Sequence, residues 1–266
     1  MSPPTQIAIH GAAGRMGKRL VTRGSLDQEL KIVAALEYAS HPDLGKDAGL
    51  ACGIRELHVP LTAGLHVKAD ALIDFSVPAA AEAIIKTCVD TRTPLVMATT
   101  GLGERQKELI SEAAESIPVV WSPSMSTTVN LTMKLCSIAA EVLKNVPGGV
   151  DVEIIERHHR TKEDSPSGTA LKFGEIIAGV MGQDQHTHGR RGMVGKRPRN
   201  EIGYHAVRTG DNPGEHTIIF GLMGETIELT VRASDRDCYA LGALAAAKFV
   251  ARQKPGLYSM YDVLGL

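Results

Sequence analysis

The feature that most restricts this chain is a junction close to its start. Ile7 to His10 is a short β-prone run that meets Gly11, and Gly11-Ala12-Ala13-Gly14-Arg15-Met16-Gly17 then leads into Lys18 to Arg23, whose composition favours helix. Strand, glycine turn and helix in that order open a βαβ unit. Gly11 permits the tight turn, Gly14 removes the Cβ that would keep a pyrophosphate from the backbone, and Gly17 lets the helix pack closely on the strand. The first amides of the helix then face the phosphates. The spacing is GxxGxxG rather than GxGxxG, so a structural turn competes with the nucleotide reading of the motif alone. What favours the nucleotide is the next unit. Lys31 to Leu36 reads as a second strand ending in Glu37, 20 residues beyond Gly17, where an acid binds a ribose diol. Tyr38 follows, at a place where a 2'-phosphate site would be better served by Arg.

The alternation continues with a strand at Ala71 to Phe75, a helix at Pro78 to Asp90, a strand at Leu95 to Thr99, a helix at Glu104 to Ser116 and a strand at Val119 to Trp121. Strands apolar on both faces, separated by helices, imply a doubly wound α/β domain with a parallel sheet. Its ligands bind beyond the carboxyl ends of the strands. The loops there are Phe75-Ser76-Val77-Pro78, Ala98-Thr99-Thr100-Gly101 and Ser122-Pro123-Ser124-Met125, all small or rich in hydroxyls and free amides.

Composition excludes several classes. The 29 Lys and Arg balance 30 Asp and Glu, so no global field collects nucleic acid or an anionic membrane surface, and an anionic partner must be held locally. Cys52, Cys88, Cys136 and Cys238 form no CxxC pair, which argues against disulfides and against a thiolate metal site. The N-terminal stretch shows no basic leader with a long apolar run, and no segment supplies about 20 uninterrupted apolar residues. A soluble, cytoplasmic protein is expected.

After a helix at Val129 to Lys144 and the break Pro147-Gly148-Gly149, the period changes. Asp151 to Glu156, Glu201 to Arg208, His216 to Leu222 and Thr226 to Ala233 alternate like strands of a mostly antiparallel or mixed sheet, and Asp237 to Ala251 returns to helix. Two domains are expected, one of residues 1–129 with 239–266 and one of residues 130–238. The densest polar stretch is Glu156 to Ala170. His158, His159, Arg160 and Lys162 stand at a strand exit just before a helix start. Asp164 or Ser165 can cap that helix, Pro166 suits its first turn, and the amides of Ser167, Gly168 and Thr169 would form an anion site. A substrate bearing carboxylates needs such a set, with Lys162 or a histidine delivering a proton. His186, His188, His205 and His216 have no carboxylate or Cys spaced with them, so a mobile loop is the reading and no metal is expected. Arg190, Arg191, Lys196, Arg197 and Arg199 read as a lid or a solvated connector.

On these motifs the chain resembles the 4-hydroxy-tetrahydrodipicolinate (dihydrodipicolinate) reductases of diaminopimelate and lysine biosynthesis. The resemblance rests on GAAGRMG at Gly11 to Gly17, ATTG at Ala98 to Gly101, EIIERHHRTKEDSPSGTA at Glu153 to Ala170, GEHT at Gly214 to Thr217 and the C-terminal DVLGL. It implies a Rossmann domain joined to a substrate-binding and tetramerisation domain, a homotetramer, and reduction with NADH, NADPH or both. It implies that His158 is the catalytic histidine and Lys162 the proton donor. His159, Ser167, Gly168 and Thr169 would bind substrate. Gly11, Ala12, Ala13, Gly14, Arg15, Met16, Glu37, Tyr38, Ala98, Thr99, Thr100, Ser122, Pro123, Ser124 and Met125 would contact the cofactor. Tyr38 stands where many members carry Arg, Ala98 replaces the first Gly of GTTG, Ser124 a frequent Asn and Ser165 the Ala of DAPSGTA. Two other classes compete. An aldehyde dehydrogenase of the aspartate-semialdehyde type needs a nucleophilic Cys, for which Cys136 and Cys88 lack a neighbouring His. A dinucleotide-sensing protein without chemistry leaves His158, His159 and Lys162 unexplained.

Overall fold

The computed structural model describes residues 3–266; Met1 and Ser2, the start of the N-terminal stretch considered above, lie outside the described residues. The chain divides into two compact units, one running to Thr127 and resuming at Arg236–Gly265, the other Thr128–Asp235. The first opens with β1 (Thr5–His10), α1 (Arg15–Gly24), β2 (Leu30–Leu36), α2 (Ala48–Ala51) and β3 (Leu61–Thr62). It continues with β4 (Ala71–Asp74), α3 (Pro78–Thr91), β5 (Leu95–Met97), α4 (Glu104–Ala114) and β6 (Pro118–Trp121). The second unit holds α5 (Thr127–Leu143), β7 (Asp151–His158), α6 (Gly168–Met181), β8 (Gln185–His188), β9 (Glu201–Arg208), β10 (Glu215–Gly221) and β11 (Thr226–Arg232). The chain then re-enters the first unit with α7 (Asp237–Val250), β12 (Gly256–Tyr258) and α8 (Met260–Leu264).

In the first unit the strands pair in the order β12-β6-β5-β4-β1-β2-β3, every pair parallel. Successive strand residues point to opposite faces, and each face meets helices. Ile7, Ile9, Ile73, Val96 and Val120 share one core with Leu20 and Val21 of α1 and Ala243, Leu244 and Ala247 of α7. Ala8, Leu72, Leu95, Met97 and Val119 share the other with Ile84, Ile85 and Cys88 of α3 and Ile110 and Ala113 of α4. Hence the strands read as apolar runs rather than alternations. Each fully buried Val, Leu or Ile contributes roughly 1.5–3 kcal/mol, enough in sum to hold a sheet with no polar face. An ion pair adds a tie between the helices of one face: Arg23 Nε donates to Asp237 Oδ2 at 2.7 Å.

The second unit carries a mixed five-stranded sheet in the order β11-β10-β7-β9-β8. β10 runs antiparallel to both β7 and β11, whereas β9 is parallel to β7 and to β8. Ala170, Phe173 and Ile177 of α6 are fully buried, as are Val152, Ile154, Ile202, Ile218 and Phe220 on the strands. The expected mobile loop at His186 and His188 is corrected, since both lie in the edge strand β8. Their imidazoles stack on the Tyr204 ring, with centroids 5.6 and 5.2 Å away. The sequence QHTH has no apolar alternation, so its strand character comes only from pairing with β9. The basic connection is exposed along most of its length, but two of its arginines are anchored to the sheet. Arg190 pairs with Glu201 and, at 2.6 Å, with Glu153, while Arg197 reaches Asp151 at 2.8 Å and Glu153 at 3.1 Å. Burial would raise the Glu153 pKa, but the hydrogen bonds from Arg190, His205 and Arg197 outweigh it and hold the carboxyl at about 2.

Gly17 sits against the turn that ends β1: a Cβ there would lie 2.0 Å from the Gly11 carbonyl oxygen and 2.6 Å from Ala12 Cα. Neither backbone atom can move without lifting α1 from the sheet. Gly17→Ala is therefore expected to lose about 1–3 kcal/mol of stability, the usual cost of overpacking. Urea unfolding checks this, and an unchanged midpoint would show that α1 does not need the close approach.

Candidate active site

At the carboxyl ends of β1, β2, β4 and β5 lies a cavity of about 480 Å³. It opens where the strand order turns back between β1 and β4, the crevice in which doubly wound sheets hold ligands. Gly11, Gly14, Arg15 and Met16 line it from the first turn, Glu37 and Tyr38 from the end of β2, and Ala98, Thr99 and Thr100 from the end of β5. Gly14 is the N-cap of α1, and the first turn of that helix carries no acidic residue and no side-chain cap. Its amino end thus presents amides and positive potential toward the cavity. Glu37, nearly buried, accepts from the Ala13 amide through Oε1 at 2.8 Å, which couples the end of β2 to the glycine turn. Tyr38 is exposed and meets His41 edge-on, with centroids 5.0 Å apart. An amide-bearing helix start that donates and a carboxylate across from it that accepts are the pairing a dinucleotide requires.

The floor of this cavity is braced by Asp74, which has no exposed surface. His10 Nδ1 lies 2.7 Å from Asp74 Oδ1, the Ser76 hydroxyl donates to the same oxygen at 2.7 Å, and the Thr99 hydroxyl donates to Oδ2 at 2.8 Å. Thr99 in turn accepts from the Ser76 amide at 2.9 Å. The end of β1 and the loops after β4 and β5 are thereby joined through one carboxylate.

In the second unit the sheet register assembles another polar cluster. His216 of β10 lies opposite Glu156 of β7, and Arg208 of β9 lies beside His158. Glu156 is 1% exposed. Its Oε2 meets His158 Nδ1 at 2.6 Å, and Arg208 donates to both its oxygens at 2.7 and 2.8 Å. Burial would push the Glu156 pKa up, yet the hydrogen bonds from His158 and Arg208 overcome it and hold the group at about 2. Ser167 is the N-cap of α6, its hydroxyl accepting from the Ala170 amide at 3.2 Å and facing His216 Nε2 at 3.0 Å. Burial, followed by the charge on His158, pushes the His216 pKa down to about 3. At the mouth stand the partly exposed His159, Lys162 and Thr169 with the exposed Gly168. Lys162 Nζ pairs with Asp164 Oδ1 at 2.7 Å, and His159 Nδ1 lies 2.9 Å from the Thr161 hydroxyl.

A family model described as dihydrodipicolinate reductase, N-terminus, matches residues 5–125, and one described as dihydrodipicolinate reductase, C-terminus, matches residues 128–264. Over 99% of its length the chain is 55% identical to a 4-hydroxy-tetrahydrodipicolinate reductase of Rhodopirellula baltica, covering 97% of that relative. The chain belongs to the dihydrodipicolinate reductase family. A 4-hydroxy-tetrahydrodipicolinate reductase of Alkalilimnicola ehrlichii is 45% identical, with 98% of this chain and 99% of that one covered. The solved structure of a dipicolinate-bound dihydrodipicolinate reductase from Paenisporosarcina sp. TG-14 matches with a TM-score of 0.78 at 25% identity, over 97% of this chain and 98% of that chain. Family membership makes this chain an oxidoreductase of the diaminopimelate and lysine pathway, with a nucleotide-binding Rossmann domain and a pyridine nucleotide as cofactor.

Not every residue expected from the reductase resemblance reaches the cavity. Ala12 is fully buried beneath the turn and Ala13 is engaged by Glu37. Ser122, Pro123, Ser124 and Met125 do not line it. Met125 is buried, and its carbonyl lies so close to α7 that a Cβ on Gly242 would come within 1.7 Å of it. In the second unit the helix cap is Ser167 rather than Asp164 or Ser165, and Pro166 precedes the helix. The Ser167 amide donates to Glu156 Oε1 at 3.0 Å and the Gly168 amide is hydrogen-bonded to the Asp164 carboxylate, so two of the three amides expected to form an anion site meet carboxylates of the chain in this fold. Sequence reasoning missed His10, Glu156 and Arg208 and set His216 aside. The signal for Glu156 was its i, i+2 spacing to His158, which puts both on one face of a strand. Among the described residues, no group of three or more His, Cys, Asp or Glu is placed to hold a metal, and no helix is long and apolar enough to cross a membrane. Burial pushes the Cys52 thiol up to about 11 and Cys136 to about 12, away from the thiolate a nucleophile needs.

Glu156 and Glu153 are both held below their ordinary value of 4.5, at about 2 in the fold. A carboxyl whose pKa is lower folded than unfolded stabilises fully above the unfolded value and loses that contribution as pH falls through the folded one. Stability to urea is therefore expected to drop between about pH 4.5 and pH 2, and Glu156→Gln should be less stable at neutral pH with a shallower drop. A variant with the wild-type acid profile would show that Glu156 does not carry this linkage.

Proposed function

We propose that this chain reduces 4-hydroxy-tetrahydrodipicolinate, through its dehydrated form dihydrodipicolinate, to tetrahydrodipicolinate, with NADH at least as good a reductant as NADPH. The observation that carries the reading is the Glu156 carboxylate that holds both His158 Nδ1 at 2.6 Å and the Ser167 amide at 3.0 Å, which joins the imidazole to the residue capping the Gly168-Thr169 start of α6, with Lys162 on the segment between them. Gly168, Thr169 and His159 would bind the carboxylates of this small dicarboxylate, as the dipicolinate-bound relative supports. The glycine turn with Arg15 and Met16 would hold the cofactor diphosphate, Glu37 a ribose diol and Ala98 to Thr100 the nicotinamide half. Ser122 to Met125 would contribute through their backbone. When bound, the reduced nicotinamide supplies the hydride. Lys162, assisted by His158, delivers the balancing proton to the ring atom that holds the electron pair after reduction, so one hydride and one proton add across one double bond. Cations beside a ring that gains negative charge stabilise the transition state more than the ground state.

The cofactor preference rests on Glu37 and Tyr38. A nearly buried carboxylate suits a 2'-hydroxyl and repels a 2'-phosphate, and Tyr38 brings no charge to offset it. Assembly as a homotetramer is supported by apolar surface on the second unit. Leu131, Leu135, Ile138 and Val142 on α5 and Ile227 on the edge strand β11 are all exposed, and a cavity of about 420 Å³ separates the two elements. We place the reaction in the cytoplasm and assign no role in nucleic-acid or membrane binding.

The test is nicotinamide oxidation measured with freshly formed product of dihydrodipicolinate synthase, and no turnover with either cofactor would sink the reading. With each cofactor varied in turn at saturating substrate, kcat/KM for NADPH should not exceed that for NADH by more than about tenfold, given the carboxylate at the ribose. Lys162→Ala should lower kcat by about 10²–10⁴, the usual worth of a positioned general acid. Its NADH affinity, read by fluorescence titration, should hardly change, because Lys162 belongs to the other unit. Wild-type turnover in Lys162→Ala would remove it as proton donor.

A further inference from the structure

We infer that Glu156 is a positioning residue whose carboxylate sets the tautomer of His158 and holds that imidazole in register with the start of α6. The inference rests on the roles proposed above for His158 and for Gly168 and Thr169. Four donors converge on this one group. Oε2 takes His158 Nδ1 at 2.6 Å and Arg208 Nη1 at 2.7 Å, while Oε1 takes the Ser167 amide at 3.0 Å and Arg208 Nη2 at 2.8 Å. A carboxylate has about four such acceptor positions, and all are in use. Because the group only accepts, the hydrogen of a neutral His158 must sit on Nδ1, and Nε2 is left as the nitrogen that exchanges a proton.

The same contacts fix distance as well as tautomer. Ser167 caps α6, so a hydrogen bond from its amide to Glu156 ties the helix start to β7 at the residue that also holds the imidazole. Arg208 adds a third tie, since Nη2 also donates to the Asp164 carbonyl at 2.7 Å and thereby holds the segment that carries Lys162. On the other side of Ser167, the buried and neutral His216 meets the Ser167 hydroxyl through Nε2, 3.0 Å away. Glu156 touches none of the reacting atoms in the proposed chemistry. It acts through His158 and Ser167.

Glu156→Gln tests this without changing the side chain's shape. The amide oxygen will face Arg208 and Ser167, which turns the NH2 toward His158 and forces its Nδ1 to accept. Ring-15N-labelled histidine, with the His158 signals assigned by loss in His158→Asn, should show the Nδ1–H tautomer in the wild type and the Nε2–H tautomer in Glu156→Gln. The kcat should fall at least about tenfold, since an imidazole in the wrong tautomer costs up to about 10⁴ where it is the principal base. Substrate KM should rise as the α6 start loosens, with dinucleotide affinity unchanged. A retained Nδ1–H tautomer, or a kcat within about threefold of wild type, overturns the inference. If the single variant does not fold, Glu156→Gln/Arg208→Gln removes both charges together and is held to the same two outcomes. The tautomer measurement needs no turnover, so it fails or stands independently of the proposed reaction.

Discussion

Asp74 ends β4 with no exposed surface, and a carboxylate there is tolerable only if protein donors replace the water it has lost. Ser76 and Thr99, from two loops at the carboxyl edge of the sheet, and His10, the last residue of β1, supply them. The requirement to satisfy one buried group thus fixes the mutual placement of two loops and a strand end. Since helices cover both faces of the sheet, that edge is where a ligand can meet backbone amides, and the cavity forms there.

The second unit repeats the device with other parts. Glu156 stands on the buried face of β7 and gathers an arginine fork, an imidazole and a helix-start amide. Breaking such a group by removing one partner is strongly destabilising, while a well-packed apolar replacement often is not. The arrangement is therefore better explained by the geometry it imposes than by stability. Its neighbour His216 is held differently, since burial keeps that imidazole neutral beside the Ser167 hydroxyl.

How much of this was legible in the sequence depends on how local each feature is. The strands and helices from β1 to β6, except the short α2 and β3 that the sequence reading did not include, follow from apolar runs punctuated by glycine and proline, and Glu37 could be counted off from Gly17 because the βαβ unit has a nearly constant length. The segment Ser122 to Met125 looked equivalent to the other edge loops, but α7 returns from more than 100 residues away and packs against it. The histidines of β8 were read as a loop because a four-residue polar edge strand has no periodicity of its own. Ser167, not Asp164 or Ser165, caps α6 because its amide and hydroxyl find partners on β7 and β10.

By itself the sequence determined the doubly wound sheet, the glycine turn, the acid at the end of β2 and the concentration of His158, His159, Lys162, Gly168 and Thr169 within a dozen residues. Local periodicity and short-range spacing are enough for these, because each is settled by neighbours along the chain. Only the tertiary structure decided that Glu156, Arg208 and His216 meet, that Asp74 joins two loops to the end of β1, and that Arg190 and Arg197 pair with carboxylates of the sheet. The meeting of Glu156 with Arg208 and His216 depends on strand register between β7, β9 and β10, and register is set by which faces can be buried together rather than by any single stretch of sequence.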